Sequence, residues 1–489
     1  MERIAENSNE ENAYNEYPNE EPDSNEIDYL GGQSRNPPFK LTIEITLFLS
    51  FLALSIAAAP AANLLMYRTC VHALGHSVEE CESFLAPGKT NHTQELENAV
   101  QQYATFVGTA KSVLESAVPA LLSVFIGVWS DKHGRKPLLT IPLLGLFMSS
   151  VMVVMYSIMP SLGPWWYVVT VIPFSLSGGY VVMITGSMCY VNDISTTEQK
   201  SVRLLYIQLA VTISSAAGSA ICPFLSGALG NVTYVLLVTT ALFAVTYVHI
   251  ALCLKESLKT ATQGTILTVL NIEHVKEMIY VCFRRKPNYG RAISLLVIMA
   301  SALSVFTTYG ISGLMYLYTR NKIHWTMKDY TIFMAIGPII WLMGSVGAIA
   351  VLQPVFRISD TVFSLISFMS VMVEYAIKAF ATKTWQMYFG SAISLFGTVS
   401  GALLRAIQTK ALPAADVAKV FALQSSAEAI CPLLAPVLYN MLYAYTIDSF
   451  PGAFLLLSTA INVVCFILLS IVLHLMKKSS NTTYQTIEP

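Results

Sequence analysis

From Leu41 almost to the C-terminus, the chain is a succession of apolar runs separated by short polar breaks. Carrying an α-helix across the hydrocarbon of a bilayer takes about 20 such residues. Inside that hydrocarbon every backbone N–H and C=O must find its partner within the segment or a closed sheet, so runs of this length read as transmembrane helices. The chain is 54% hydrophobic and only 12% charged, with a mean hydropathy of +0.57, which excludes a pair of soluble domains. Its formal net charge of −1 conceals segregation: the first thirty residues are acidic, and basic residues gather in particular loops. No basic patch suits nucleic acid, so the lipid bilayer is the implied partner.

Apolar runs read against polar breaks place helices near 43–66, 105–128, 137–158, 165–189, 204–228 and 232–253. A second set follows near 292–317, 330–355, 362–381, 386–404, 418–443 and 452–475. The organisation expected is an all-α membrane protein with twelve transmembrane helices in two six-helix bundles, 41–254 and 292–476. They are joined by a cytoplasmic linker over 255–291 and flanked by a disordered acidic tail over 1–40 and a short tail over 477–489. The first thirty residues hold no apolar core or cleavage signal of a secretory leader. In the linker, Ile272, Val275, Ile279 and Phe283 recur at helical spacing before Arg284, Arg285 and Lys286, the pattern of an amphipathic helix lying on an anionic surface.

Orientation follows from Lys and Arg. Both termini inside leaves outside only Arg68, Lys89, Arg320, Lys322, Lys328 and Lys383, puts Lys111 and Lys378 within helices, and assigns every other one of the 29 basic residues to the cytoplasmic side. The same topology puts the glycosylation sequon at Asn91 in the long first outer loop. Cys70 and Cys81 share that loop, where an oxidising exterior favours a disulfide between them. Cys189, Cys222, Cys253, Cys431 and Cys465 lie in or beside apolar segments as small buried side chains. No CxxC spacing occurs, so neither a metal nor a cofactor is expected.

Between the second and third helices stands Gly127-Val128-Trp129-Ser130-Asp131-Lys132-His133-Gly134-Arg135-Lys136-Pro137. Gly134 suits a tight turn, and Asp131 can accept from a helix N-terminus whose dipole favours an anion. The segment resembles the G-x-x-x-D-[RK]-x-G-R-[RK] loop of major facilitator transporters. That resemblance implies gating roles for Gly127, Asp131, Gly134 and Arg135, with Asp193 as the partner of Arg135. The equivalent turn of the second half, Arg357 to Asp360, keeps only a remnant. Val191 to Arg203, Leu404 to Lys410, the opening Thr42-Ile43-Glu44 and the long first loop further resemble solute carrier family 46, the proton-coupled folate transporter family, over about residues 42–475. Against that family's pattern, the proton-coupling acid of helix 4 falls on Gly179, the helix 5 acid on Gln208, the helix 7 histidine on Thr308, and a cysteine after helix 7 on His324. Arg405 matches the family's helix 10 arginine.

A charge near the bilayer centre is costly and marks a cavity or a partner. Glu44, Gln208, Thr308, Arg405 and Glu428 are therefore the substrate or proton candidates. Glu428 shares a helix face with Gln424 and Ser425 and leads among them as a proton or amine site, while Arg405 suits a carboxylate. Glu44 also suits a helix start, and Arg405 a topogenic charge. Lys111 with Glu115, and Glu374 with Lys378, stand four apart and read as pairs internal to one helix. In the last residues, Tyr484-Gln485-Thr486-Ile487 resembles a YxxΦ sorting signal, implying adaptor-complex binding at Tyr484 and Ile487 and an endosomal or lysosomal address, with the plasma membrane as the competitor.

The function implied is transport of a small organic anion or zwitterion by alternating access, with uniport and proton symport both open. A solute sensor without net transport is the alternative. HExxH, GxSxG and clustered His and Asp are absent from the spans, so an enzyme is not expected.

Overall fold

The computed structural model describes residues 42–85, 93–194, 200–257, 280, 284, 289–347, 352–397, 399–412 and 414–485. Asn91 and Ile487, and all of the linker face named above, lie outside the described residues.

Twelve principal helices fill the places expected of them. In the first half they are α1 (Thr42–Arg68), α2 (Gln94–His133), α3 (Pro137–Ile158), α4 (Gly179–Ile194), α5 (Lys200–Leu229) and α6 (Val232–Cys253). The second half holds α7 (Gly290–Ser312), α8 (Met327–Gly347), α9 (Asp360–Ala379), α10 (Val399–Ala411), α11 (Ala414–Thr446) and α12 (Ala453–Gln485). Short turns, Trp166–Val169 and Ile172–Leu176, lead into α4, and Thr384–Ile393 with a 3₁₀ turn leads into α10. Ten spans among the described residues are long and apolar enough to cross a membrane, and α2 and α8 fill the remaining two places.

Beyond α4 and α10, which start later than expected after those short turns, two boundaries differ from expectation for physical reasons. The second helix begins at Gln94 rather than near 105, because Glu95, Glu97, Asn98, Gln101 and Gln102 belong to the helix although they read as a polar break. The last helix continues to Gln485 past Lys477 and Lys478, so Tyr484 stands in its final turn and not in an extended tail.

Each half has its own core. Ile43, Leu47, Leu139, Leu143, Met183 and Ile250 interdigitate in the first, and Ile293, Val297, Phe368, Leu404, Cys465 and Leu469 in the second. In a bilayer such packing, not expulsion from water, holds helices together. The halves meet where α2 lies along α11 and α5 along α8. A third cluster joins them at one end, with Phe84 and Cys81 of the first loop against Tyr316 and Met327 of the second half. Cys70 and Cys81 are disulfide-bonded there, their Cα atoms 5.8 Å apart. We call this the disulfide end, and the opposite one, carrying Gly134 and Arg135, the loop-motif end.

Candidate functional site

At the loop-motif end, Gly134 adopts φ +101°, a conformation that favours glycine. A Cβ there would also stand 2.5 Å from the Glu256 carboxylate. That carboxylate accepts from the backbone N–H groups of Arg135 at 2.7 Å and Lys136 at 3.1 Å. It therefore satisfies free N–H groups at the start of α3, where the helix dipole also favours a negative charge. The guanidinium of Arg135 donates from Nε to Asp193 Oδ2 at 2.9 Å, and Ser257 adds a bond to the same oxygen at 3.2 Å. The structure thus brings Gly134, Arg135 and Asp193 together and adds Glu256, which carries no signal in the sequence because it lies 120 residues downstream. Gly127 and Asp131 stand in the last turns of α2; their side chains are outside what the structure describes. Replacing Glu256 by alanine is expected to lower stability by about 1 kcal/mol, the usual effect of losing a helix cap, read as a lower Tm of the purified protein in detergent.

The interior candidates fall into separate places. Glu44 lies 3.8 Å from Arg203 within the first half, both side chains 6% exposed, in the first turns of α1 and α5. Gln208 is exposed on α5. Thr308 lines a cavity of about 330 Å³ inside the second half, shared with Glu374, Lys378, Phe333 and Trp341. Gly179, where the resemblance leads to an acid, has φ +57°, and a Cβ there would stand 2.9 Å from Pro119 and 3.7 Å from the Glu115 carbonyl, so this position has no room for a longer side chain.

Arg405 and Glu428 do meet. Glu428 Oε1 accepts from Ser301 Oγ at 2.5 Å and from Gln424 Nε2 at 2.8 Å, while Arg405 Nη2 stands 3.8 Å from Oε2. The arginine is 52% exposed and the glutamate 17%, so the carboxylate is fixed by neutral donors and the cation is loosely attached. The next residue on α11, Ala429, lines a cavity of about 210 Å³ between the halves.

That cavity is where the sequence reading is incomplete. Its opposite wall carries Glu115, Tyr180 and Ser112 of the first half. A neighbouring cavity of about 250 Å³ is lined by Lys111, and one of about 310 Å³ by Lys111 and Glu115 together. Lys111 Nζ and Glu115 Oε2 are 2.8 Å apart and about a quarter to a fifth exposed, so this pair faces the cavities and is not merely internal to α2. Spacing alone shows that such residues can pair, but not which way the helix turns them.

At the disulfide end the halves are bonded to each other. Arg320 Nε donates to Glu97 Oε1 at 2.7 Å. Tyr443 donates to Gln101 at 2.9 Å, Tyr316 to Asn63 at 2.5 Å, and Asn440 to Thr109 at 3.0 Å. Asn98 accepts from Asn321 at 2.5 Å and donates to Asp448 at 2.7 Å. The ring of Phe84, carried by the disulfide-closed loop, packs 5.1 Å from the Arg320 guanidinium. One end of the cavity is thereby sealed across the two bundles.

A family model described as the Major Facilitator Superfamily matches residues 45–436. The chain belongs to that superfamily. It is accordingly an integral membrane transporter of small solutes, working by alternating access of a site between its halves. Among its relatives is a probable peptidoglycan muropeptide transporter of solute carrier family 46 from Drosophila melanogaster, 26% identical over 453 residues, covering 90% of this chain and 87% of that one. A second, from Gallus gallus, is named a lysosomal proton-coupled steroid conjugate and bile acid symporter of the same family; it is 24% identical, over 90% of this chain and 95% of its own. The resemblance to solute carrier family 46 therefore runs through nearly the whole chain, and its named members are transporters, which leaves the sensor alternative unsupported. Among solved structures, the human organic anion transporter MFSD10 superposes with a TM-score of 0.61 at 13% identity, over 88% of this chain and 100% of that one, which shows the fold.

Proposed function

We propose that this transporter moves a small organic anion or zwitterion together with a proton. The observation that carries the reading is the Glu428 cluster: a carboxylate held by Ser301 and Gln424, next in the chain to the Ala429 that lines the cavity, with a loosely attached arginine 3.8 Å away. Protonation neutralises Glu428 and leaves Arg405 free for an anionic group of the solute, so proton and solute enter the same state. The names of the two relatives favour amphipathic solutes such as bile acids, steroid conjugates and muropeptides. Arg135 and Asp193 are assigned to the gate at the loop-motif end, together with Gly127, Asp131 and Gly134.

The positive-inside asymmetry supports cytoplasmic termini, which makes the disulfide end the outer one and the present conformation closed to the outside. We assign the protein to the endosomal or lysosomal membrane, with the plasma membrane as the competing address. Adaptor binding at Tyr484 and Ile487 is kept as a proposal, checked by the distribution of Tyr484→Ala in cells.

The test is uptake of a labelled bile acid and a labelled muramyl peptide into proteoliposomes at external pH 5.5 and 7.4. Wild type is expected to take up at least one of them faster at the acidic pH, and Glu428→Gln to lose that stimulation by about tenfold. Uptake that ignores pH and survives the substitution removes Glu428 from the mechanism.

A further inference from the structure

We infer that Lys111 and Glu115 are an exchange pair for a solute carboxylate: once Glu115 accepts a proton, the carboxylate takes its place on Lys111. The inference deepens the proposed transport and rests on it, assigning the first half a charged contact to match the one on α10 and α11.

Position singles this pair out. Three other ion pairs are enclosed: one at the disulfide end, one within the second half, and one in the first turns of α1 and α5. Glu97 and Arg320 are 5% and 8% exposed, Glu374 and Lys378 3% and 4%, and Glu44 and Arg203 6% each. Lys111 and Glu115, at 24% and 21%, are the more accessible pair and line the cavities. Among the described residues they are also the only charged side chains lining the three adjoining cavities described above. The facing wall from the second half is uncharged and in part small, with Gly310, Ser312 and Gly313, which leaves space for a solute body.

Chemistry supplies the exchange. A solute carboxylate offers Lys111 the same charge-assisted hydrogen bond that the Glu115 carboxylate gives it at 2.8 Å, so once Glu115 is protonated the solute replaces that contact in kind. The Tyr167 ring, its centroid 5.8 Å from Lys111 Nζ, supports the ammonium whichever carboxylate it faces. Among the described residues, the titratable groups lining these cavities around Glu115 are Lys111 on its own helix, Tyr167 before α4, Tyr180 on α4 and Tyr309 on α7, and no second carboxylate or cation faces it from these walls.

The exchange balances. Glu115 as carboxylate takes one proton and becomes the neutral acid, Lys111 remains an ammonium, and the solute arrives as a carboxylate. The site's charge is the same before proton and solute enter as after both have entered, so the loaded and empty states carry equal electrostatic cost across the low-dielectric region. A solute lacking a carboxylate leaves Lys111 unpaired once Glu115 is protonated, which disfavours uptake of the neutral analogue.

Two measurements keep the pair's role separate from the transport reading. The first is the shift in Tm of purified protein in detergent with glycocholate, or with its uncharged amide, at pH 5.5 and 7.4; the second is proteoliposome uptake of the same compounds. For wild type, glycocholate is expected to raise Tm at pH 5.5 more than at pH 7.4, and the amide at neither. Glu115→Gln is expected to make the glycocholate shift independent of pH, and Lys111→Gln to weaken apparent affinity by about tenfold or more. The neutral double variant Lys111→Gln/Glu115→Gln is expected to melt like wild type yet not respond to glycocholate. Recovery of the glycocholate response in the double variant would mean a structural pair and overturns the inference, as does a glycocholate shift that Lys111→Gln leaves intact or a wild type that responds to neither compound. Binding with the expected pattern but without flux upholds the pair and overturns the proposed transport of this solute class.

Discussion

Replacing Glu97 by alanine is expected to open the disulfide end of the transporter. Glu97 and Arg320 pair across the two halves at 2.7 Å with 5% and 8% exposure. Removing the carboxylate leaves a guanidinium enclosed by Phe84 and Tyr316 with its charge uncompensated, which destabilises the closed arrangement by about 3–5 kcal/mol. Separating the halves relieves that penalty by admitting water to Arg320, so the equilibrium between closed and open moves by two or more orders of magnitude, on the order of a hundredfold to a thousandfold. The readout is Gly108→Cys, a position on the cavity side of the seal where an added side chain meets nothing within 4 Å. Labelling of this cysteine by a membrane-impermeant maleimide is expected to be slow with Glu97 present and fast in Glu97→Ala, while Glu97→Gln, which keeps a hydrogen-bond acceptor, falls between. Equal labelling with and without Glu97 would refute the assignment of this pair to the seal.

The same residues explain what the sequence could and could not disclose. Helix number, the two bundles and the loop motif are legible because each rests on local pattern: an apolar run of spanning length, a polar break, a glycine beside basic residues. Arg135 and Asp193 are reachable by resemblance, and their 2.9 Å contact is what that resemblance leads one to expect. The first three turns of α2 are not legible, since Glu97, Asn98 and Gln101 look like loop while being satisfied by Arg320, Asn321 and Tyr443 more than two hundred residues away. Glu256 is hidden for the same reason, as a cap contributed to α3 from beyond the end of α6. Lys111 and Glu115 show a further limit. Their spacing fixes that they can touch, but two of the cavities they line take their facing wall from the other half of the chain.

Glu374 and Lys378 show the opposite outcome for identical spacing and give the second large prediction. Their ion pair is almost fully enclosed within the second half. Lys378 also lies 5.1 Å from the centroid of the Phe333 ring, and its carbonyl accepts from Tyr318 at 2.7 Å. An enclosed pair of this kind is held by its mutual compensation and not by a net gain, because both charges have been taken out of water or headgroup. Glu374→Ala is expected to cost about 3–5 kcal/mol by leaving an enclosed ammonium alone, seen as a large fall in Tm in detergent and loss of the monodisperse peak on size-exclusion chromatography. Glu374→Leu/Lys378→Met, which fills the same space without charge beside an already apolar cavity, is expected to melt at or above wild type. The double variant is also expected to transport normally, since this pair opens on a cavity within one half whereas Lys111 and Glu115 open between the two. A single variant as stable as the double one would mean that Lys378 is accommodated without its partner, and a double variant that melts normally but no longer transports would move this pair from the scaffold to the transport cycle.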